Sequence, residues 1–395
     1  MGDASVLTGS PAPSGPAGTH ATGPTSDVLP MVVGPTSLAP EVLGCLASQP
    51  PPLDDQGYMA DVAAGLARLR DLVQAPSAAS FIVPGTGTSG LESLAISLLE
   101  PGVPVLVAST GMWGDRWRDI CIRNGIPAVS PAAGPGQPPD PDLMERLVEH
   151  HGCQAVLITH TDSSSGVRTD PAPLAAMAVR HGALSLVDGI AAAGSEVISQ
   201  ADWRVDAYLT GAPKALGAPA GVIGVTLSPR ATETLLTRSW TPHGYSLDLR
   251  PWLPVMAATE RGEFGYFQTP ASALTLAFAE ALRLALAEGR HARVERHVRL
   301  REALHAGLAG LGFRFLVQDG AVRSNGITVC WLPDTAEPAP FLRAVVRAGV
   351  QVQAGTHPAA ASRTFRIGHH GNVSADDIDR TLAALRAAKA EVAVR

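Results

Sequence analysis

The sequence predicts an α/β fold in which a mostly parallel sheet is covered by helices and is followed by a smaller C-terminal α+β domain. Two observations predict it. From Met31 onward, short apolar runs alternate with stretches of helical spacing, as expected of strands joined by crossover helices. Toward the C-terminus the pattern changes to short strands grouped with two helices, which is typical of a small α+β unit.

The predicted strands of the large domain are apolar runs, typical of strands buried on both faces. They are PVLVAS at 104–109, QAVLITH at 154–160, ALSLVD at 183–188 and DAYLTG at 206–211. The predicted helices cover about 88–100, 113–124, 141–151 and 171–181. Ligands of such sheets bind outside the carboxyl ends of the strands, and most of the unusual residues of this sequence fall there.

The sequence divides into three predicted regions. Residues 1–28 are rich in Ala, Gly, Pro, Ser and Thr, so we expect a disordered tail. Residues 29–270 form the predicted large domain, with an N-terminal part that is a candidate for packing on the small domain. Residues 271–395 form the small domain, after a linking helix that belongs to one long amphipathic helix at about 270–309.

Within the small domain we expect strands in four segments and helices in two. The strand segments are GFRFLV, GITVCWL, GVQVQA and RTFRIG, and the helices cover about 339–348 and 375–392.

Composition limits the classes of ligand. Of the 395 residues 46% are hydrophobic and 17% charged, typical of a globular protein with a large core. Lys and Arg number 30 and Asp and Glu 36, a net charge of −6 with no long basic run, so neither nucleic acid nor a membrane surface is an expected partner. No secretion signal or membrane-spanning run is recognisable. We therefore expect a cytoplasmic protein that binds small molecules.

Cysteine spacing also favours a cytoplasmic protein. Cys45, Cys121, Cys153 and Cys330 are far apart in the sequence and form no C-x-x-C pair, so neither a disulfide framework nor a zinc site is predicted. His369 and His370 are adjacent, but no third ligand is spaced to join them. No metal site is expected.

An acidic and a basic residue stand out at predicted strand ends. Asp188 directly follows an apolar strand, where a buried carboxylate requires a positive partner. Lys214 lies in the small-residue segment GAPKALGAPAG, where the backbone can approach a planar ligand. Pyridoxal phosphate needs both groups, an amine for its aldehyde and a carboxylate for its ring nitrogen. Taken singly, a helix cap and a surface lysine explain the two residues equally well.

A glycine-rich turn precedes the first predicted helix. The segment PGTGTSGLE at 84–92 follows the apolar run SFIV. Its backbone N–H groups and the hydroxyls of Thr86 and Thr88 could hold a phosphate at the positive end of the helix. Its spacing differs from the dinucleotide-binding fingerprint, and a plain strand-to-helix turn is the alternative.

Six segments together resemble the class V aminotransferases of fold type I, and within them the alanine–glyoxylate and serine–glyoxylate (serine–pyruvate) enzymes. The likeness extends from about Met31 to the C-terminus, with matching order and spacing. The segments are PGTGTSGLESL, STGMWGDRW, THTDSSSG, VDGIAAAG, TGAPKALGAPAG and FRIGHHG.

The resemblance implies a role for each cofactor-binding candidate. Lys214 corresponds to the lysine that binds pyridoxal 5′-phosphate as a Schiff base, and Asp188 to the partner of the ring nitrogen. Trp113 corresponds to the aromatic residue stacked on the ring, whereas a core tryptophan at a helix start is the alternative. Ser163 matches a serine near the ring hydroxyl. The phosphate-binding turn matches Thr86, Gly87 and Thr88.

The resemblance also implies a homodimer with shared active sites and a site for the substrate. Tyr266 and Thr269, in GYFQTP, match residues that reach the phosphate from the neighbouring subunit, although Thr269 is also a plausible helix cap. Arg366 matches the arginine that binds the substrate carboxylate, for which guanidinium geometry is well suited. Gly34 is the other substrate-site candidate. The roles of His369 and His370 stay open.

The sequence departs from the family beside the lysine. Relatives often carry a polar pair such as Ser-Gln there, whereas this chain has Ala212 and Pro213. The change removes hydrogen-bonding groups, and proline lacks an N–H. A pyridoxamine–pyruvate type of aminotransferase is therefore an alternative. At 49–58 the segment QPPPLDDQGY stands where relatives commonly carry a histidine-containing loop near the substrate entrance.

These features predict a pyridoxal-phosphate-dependent aminotransferase. It would move an amino group from a small amino acid of the alanine or serine type to a small 2-oxo acid of the glyoxylate or pyruvate type. In a ping-pong cycle, Lys214 would carry the proton. The alternatives are a lyase, decarboxylase or carbon–carbon bond-forming enzyme with the same cofactor and, in another class, a non-catalytic sensor.

Overall fold

The computed structural model describes residues 28–211, 213–334 and 336–393. Within these ranges the chain forms fourteen strands and thirteen α-helices. The strands are β1 (Leu29–Pro30), β2 (Ala79–Pro84), β3 (Val105–Ala108), β4 (Ala128–Val129), β5 (Ala155–Thr159), β6 (Thr161–Asp162), β7 (Val167–Arg168), β8 (Leu184–Asp188), β9 (Ala207–Gly211), β10 (Val222–Leu227), β11 (Ile327–Trp331), β12 (Val350–Gln351), β13 (Gln353–Ala354) and β14 (Thr364–Gly368).

The α-helices begin and end as follows. They are α1 (Pro40–Ala47), α2 (Gln56–Leu72), α3 (Gly87–Leu98), α4 (Met112–Arg123), α5 (Pro141–His151), α6 (Pro171–Arg180), α7 (Gln200–Trp203), α8 (Pro229–Thr237), α9 (Trp252–Glu260), α10 (Ser272–Glu288), α11 (Arg290–Gly310), α12 (Pro338–Arg347) and α13 (Ala375–Ala393). None of these described helices combines the length and apolar composition needed to cross a bilayer.

A seven-stranded sheet forms the centre of the larger part of the molecule, in the order β2-β10-β9-β8-β5-β3-β4. The pairings from β9 to β4 are parallel, and β10 runs antiparallel to both of its neighbours. The prediction of a mostly parallel sheet covered by helices is confirmed, and the four predicted strands are β3, β5, β8 and β9. The strand β10 and the helices α1, α2, α8 and α9 were not predicted.

Helices cover both faces of this sheet. Adjacent residues of β10 point to opposite faces: a Cβ on Gly224 would meet Leu69 of α2 and Phe278 of α10. On the other face, Ile223 lies beside Gly90 of α3. The buried apolar side chains of these layers form one cluster that extends from Val42 to Ala285, which holds the strand ends in fixed relative positions.

The C-terminal part has its own three-stranded antiparallel sheet, in the order β11-β14-β13. A second apolar cluster is centred on Phe341 and Phe365, which lie 5.1 Å apart between ring centroids. The N-terminal segment joins this part, because β1 pairs in parallel with β12 and Met31 is buried in the same cluster.

Three details differ from the sequence-based expectations. The strand expected in GVQVQA is divided into β12 and β13, which belong to different sheets. The single helix expected at about 270–309 is two helices, because Gly289 adopts a φ of +90° between α10 and α11, a conformation that glycine permits. The expected strand in GFRFLV is reduced to an isolated bridge between Phe315 and Cys330. The predicted disorder over residues 1–28 falls outside the described residues, except for Val28.

Candidate active site

A cavity lies at the edge of the seven-stranded sheet where β2, β3, β5, β8 and β9 have their carboxyl ends. This is the edge at which ligands of such sheets bind. The cavity has a volume of about 250 Å³. It is lined by Gly34, Pro35, Thr86, Gly87, Thr88, Leu91, Trp113, Thr161, Ser163, Asp188, Ile190, Ala191, Pro213 and Lys214.

Lys214 lies in the turn after β9 and is half-buried. Its Nζ donates a hydrogen bond to the carbonyl oxygen of Val33 at 2.6 Å. Burial and the nearby positive charge of Arg366 lower the pKa of Lys214 to about 8, against the opposing effect of Asp188. Because the neutral amine is the nucleophilic form, this lowered pKa activates Lys214 near neutral pH.

Gly34 leaves the space that the lysine amine occupies. Its φ is +142°, and a Cβ at this position would lie 2.7 Å from Lys214 Nζ. A larger residue at position 34 would therefore displace the amine. The structure thus places the predicted substrate-site glycine beside the predicted Schiff-base lysine.

Asp188 is the last residue of β8 and is buried. Burial, and to a smaller extent the negative charge of Asp162, raise the pKa of its carboxyl to about 7. The Ile190 amide, which donates to Oδ1 at 3.0 Å, and the charge of Lys214 act in the opposite direction. A cationic ligand group beside Asp188 would therefore stabilise its ionised form.

Trp113 is held at the start of α4 by residues that follow β5. Its indole Nε1 donates to Ser163 Oγ at 2.7 Å, and its amide donates to Asp162 Oδ2 at 3.2 Å. Asp162 is fully buried and also accepts a hydrogen bond from the Ser164 amide at 2.8 Å. These contacts fix the plane of the indole at the wall of the cavity.

The turn after β2 ends in a capped helix. Thr86 is the N-cap of α3, and its amide and its side chain exchange hydrogen bonds with Ser89 in a capping box. The amides of Gly87 and Thr88 have no acceptor within the helix, as is general for the first residues of a helix. The predicted phosphate-binding turn therefore presents backbone donors and the positive end of α3 to the cavity.

Arg366 lies beside the cavity but is not one of its lining residues. It is 8% exposed, and it donates from Nε to the Ala354 carbonyl at 2.8 Å and from Nη1 to the Ser163 carbonyl at 3.3 Å. Burial lowers the pKa of Arg366 to about 10, so it stays charged at neutral pH. No hydrogen bond within the described ranges occupies its other N–H donors, which leaves them for a carboxylate.

Tyr266 and Thr269 are not brought to the cavity within the described chain. Both are exposed, and the Tyr266 hydroxyl lies 3.1 Å from Thr269 Oγ1. Tyr245 and Phe264 are also exposed, by 78% and 53%. The surface around Tyr266 and Thr269 is therefore unusually aromatic.

The adjacent histidines belong to a buried cluster next to the site. His305 and His369 are joined through the hydroxyl of Thr328, with both distances 2.8 Å. Burial holds the pKa of His369 and of His370 well below the usual range, so both rings are neutral. Among the described residues, no group of three or more His, Cys, Asp or Glu side chains is arranged to hold a metal ion.

Comparisons with known proteins identify the family. The sequence model described as "Aminotransferase class-V" matches residues 59–381. The chain belongs to the class V aminotransferase family. It is 30% identical to alanine–glyoxylate aminotransferase 1 of Saccharomyces cerevisiae over 74% of the chain and 77% of that protein.

Solved structures show the same fold for this aminotransferase. Alanine–glyoxylate aminotransferase from Nostoc sp. matches it with a TM-score of 0.89 and 25% identity, over 94% of this chain and 97% of that one. Pyridoxamine–pyruvate aminotransferase from Mesorhizobium loti matches with a TM-score of 0.86 and 24% identity, over 93% of each chain. Family and fold together make the protein a pyridoxal-phosphate-dependent aminotransferase of fold type I.

The cavity residues of the aminotransferase fit this cofactor. Lys214 offers an amine of lowered pKa for an aldehyde, and Asp188 offers a buried carboxyl for the ring nitrogen. The start of α3 offers backbone donors for a phosphate. Pro213, which lines the cavity beside the lysine, offers no N–H donor, and Ala212 lies outside the described residues.

Sequence reasoning did not single out two residues of this aminotransferase that support the site. Asp162, which holds the Trp113 amide, stands in THTDSSSG, where an acid among hydroxyl residues was the available signal. Arg116 lies three residues after Trp113 on α4, a spacing that puts two residues on one helix face. Neither signal is specific without the positions of neighbouring elements.

Proposed function

We propose that this aminotransferase transfers an amino group from a small amino acid of the alanine or serine type to a small 2-oxo acid of the glyoxylate or pyruvate type. The observation that carries this proposal is that Lys214 and Asp188 line one cavity and that Arg366 lies beside it, hydrogen-bonded to the carbonyl of the lining residue Ser163. The cavity volume of about 250 Å³ must hold the cofactor together with the substrate, which supports a small substrate.

Each polar residue has a separate task in the proposed reaction. Bound pyridoxal phosphate supplies an aldehyde that carries the amino group and a ring that accepts electrons. Lys214 Nζ, in its neutral form, would take the proton from the substrate α-carbon and pass it to the cofactor carbon that bears the transferred amino group. Asp188 holds the proton of the ring nitrogen, and Arg366 binds the substrate carboxylate and orients the α-carbon. Trp113 covers the ring and excludes water.

Half-reactions test the proposal directly. Purified protein that contains the cofactor is mixed with alanine, serine or glycine, and the loss of the visible band of the lysine–cofactor Schiff base is recorded. Glyoxylate or pyruvate is then added, and recovery of the band with stoichiometric formation of the new amino acid is expected. Release of carbon dioxide or ammonia without recovery would instead identify a decarboxylase or lyase, and no response to any donor would favour a sensor.

A pyridoxamine–pyruvate type of reaction is the second candidate, and Pro213 is the observation that favours it. Proline at the wall of the cavity removes a donor that relatives can offer to a phosphate. Free pyridoxamine and pyruvate would then be converted to pyridoxal and alanine by protein that lacks bound cofactor. If this conversion is undetectable while alanine and glyoxylate react, the second candidate is rejected.

We also propose a homodimer with shared active sites. Support comes from the exposed aromatic surface at Tyr266 and Thr269, which line no part of the cavity in their own chain. Mixing Lys214→Ala with a Tyr266→Ala, Thr269→Ala double variant would give hybrid dimers with one intact site, so activity should reappear. Two inactive parents that stay inactive after subunit exchange would contradict the shared site.

Two further proposals concern organisation and location. We propose a large domain at 29–270 and a small domain within 271–395, with α10 as the link. The separate apolar cluster around Phe341 supports this division, and limited proteolysis would test it. We propose a cytoplasmic location, which the four free cysteines support; cell fractionation would test it.

A further inference from the structure

The cavity offers a phosphate little positive charge. Lys214 is the only basic residue among its described lining residues, and the proposed function uses that amine for the aldehyde. The Thr86 and Ser89 amides are occupied by the capping box, and Pro213 has no N–H. A further cation near the start of α3 would therefore strengthen the binding of a dianionic phosphate.

Arg116 lies next to this turn. It is half-buried on α4, and its Nη1 donates to Thr88 Oγ1 at 3.1 Å. Its guanidinium carbon lies 4.4 Å from the centroid of the Trp113 ring, within the range of a cation–π contact. One side chain thus contacts both the predicted phosphate turn and the predicted ring-stacking residue.

The hydrogen bond from Arg116 determines what the Thr88 hydroxyl can do. A hydroxyl group has one donor hydrogen and two acceptor lone pairs. Because a lone pair of Thr88 accepts from the guanidinium, its hydrogen remains free to be donated to an anion. A donor that is polarised by a neighbouring cation binds an anion more strongly than a neutral hydroxyl does.

We propose that Arg116 is a positioning residue for the cofactor phosphate, which orients the Thr88 hydroxyl toward the anion and supplies the positive charge that the cavity wall lacks. This inference rests on the proposed placement of the cofactor in the cavity. In relatives with a polar pair before the lysine, that pair contributes to phosphate affinity. In this chain, the inference assigns a part of that affinity to Arg116 on α4.

Two ligands that differ only in the phosphate test this role. Dissociation constants of cofactor-free protein for pyridoxal phosphate and for pyridoxal are measured from tryptophan fluorescence and from the Schiff-base absorbance. Arg116→Gln should weaken pyridoxal phosphate roughly tenfold or more, as expected for loss of a charge-assisted contact, and pyridoxal less than about threefold. Arg116→Lys keeps the positive charge but loses the planar guanidinium. Its affinity for pyridoxal phosphate should lie between those of the parent and of Arg116→Gln.

The matched control is Arg118→Gln. Arg118 lies two residues later on the same helix, is paired with Asp119 at 2.9 Å and does not line the cavity, so both affinities should stay unchanged. Thr88→Ala combined with Arg116→Gln should weaken phosphate binding less than the sum of the single changes, since the two residues act together.

The outcomes separate the inference from the proposed function. Equal weakening of both ligands by Arg116→Gln would overturn the inference, because it would mean that Arg116 acts only through Trp113. Unchanged affinity for both ligands in folded Arg116→Gln and Arg116→Lys would also overturn it. Failure of the parent protein to bind pyridoxal phosphate would reject the proposed function and, with it, the inference.

Discussion

Two cavities lie at opposite edges of the seven-stranded sheet, and the larger one is not the candidate active site. The second cavity has a volume of about 380 Å³. It lies at the amino ends of β8 and β9, where Asp206, Ser228 and Arg230 contribute to its wall. The cavity at the carboxyl ends, about 250 Å³, is smaller and holds Asp188 and Lys214.

The two cavities differ in how far the charged groups in their walls are compensated by neighbouring groups. Asp206 accepts from the Ser185 amide at 2.9 Å and from Ser228 Oγ at 3.0 Å, and Arg230 lies 3.8 Å from it. That carboxylate is satisfied by the fold itself. At the carboxyl edge, burial shifts the pKa of Asp188 and of Lys214 toward neutral pH. Incompletely compensated charge, rather than volume, identifies the site.

The largest effect is expected from Lys214→Ala. It should lower transamination by roughly 10³-fold or more, because the variant loses both the amine for the aldehyde and the proton carrier. The chain contains only one other lysine, Lys389, which makes Lys389→Ala a matched control with unchanged rate. Borohydride reduction followed by mass spectrometry should place the cofactor on Lys214. A label on Lys389 would contradict the assignment.

Asp188→Asn should have the next largest effect. It should lower the activity and raise the stability of the protein. Activity should fall roughly 10²-fold or more, since an amide cannot hold the ring proton by charge. At pH values above 7, the cofactor-free variant should be more stable than the parent by an amount on the order of 4 kcal/mol, because the buried carboxylate is removed.

The sign of the stability effect follows from the raised pKa. The pKa of Asp188 is about 7 in the folded protein against 3.8 for the free group, so the folded state holds the proton more tightly. The unfavourable contribution is absent below about pH 4 and complete above about pH 7. Thermal melting of parent and variant from pH 4 to 8 measures it. A constant difference across this range would contradict the prediction.

The pH dependence of cofactor capture should report on Lys214. The rate of Schiff-base formation should rise as pH passes about 8, where the amine loses its proton. Arg366→Gln removes a positive charge that lowers this pKa, so its profile should move to higher pH. Stopped-flow absorbance measures both profiles. A shift to lower pH in the variant would contradict the electrostatic coupling.

The sequence predicted the fold and the positions that line the site to different extents. Apolar runs between helices predicted β3, β5, β8 and β9, because strands buried on both faces of a parallel sheet are nearly continuous apolar runs. The strand β10 was missed, and so was the break at Gly289, where glycine adopts a φ of +90° between α10 and α11. Strand ends pointed to Asp188 and Lys214, and the structure places Trp113 and the Thr86 turn at the same cavity.

Contacts between distant segments could not be predicted. The carbonyl of Val33 that holds the Lys214 amine lies 181 residues away in sequence, and the Ser163 carbonyl that holds Arg366 lies 203 residues away. Nothing in local composition encodes such pairs. The pKa values of Asp188 and Lys214 depend on burial by the same distant segments, so their shifted state is visible only in the folded chain.

The smallest effect is expected at the second cavity. A substitution there tests whether the amino edge of the sheet is unimportant for the reaction. Ala201 lies on α7 in the wall of that cavity and is exposed. Ala201→Leu would fill part of the space while keeping a good helix former. Because Asp206 and Arg230 keep their partners, kcat/KM and cofactor affinity should change less than about twofold, within the usual range of surface substitutions. A tenfold loss of kcat/KM with unchanged thermal stability would mean that the amino edge takes part in the reaction, and the distinction by charge state would then fail.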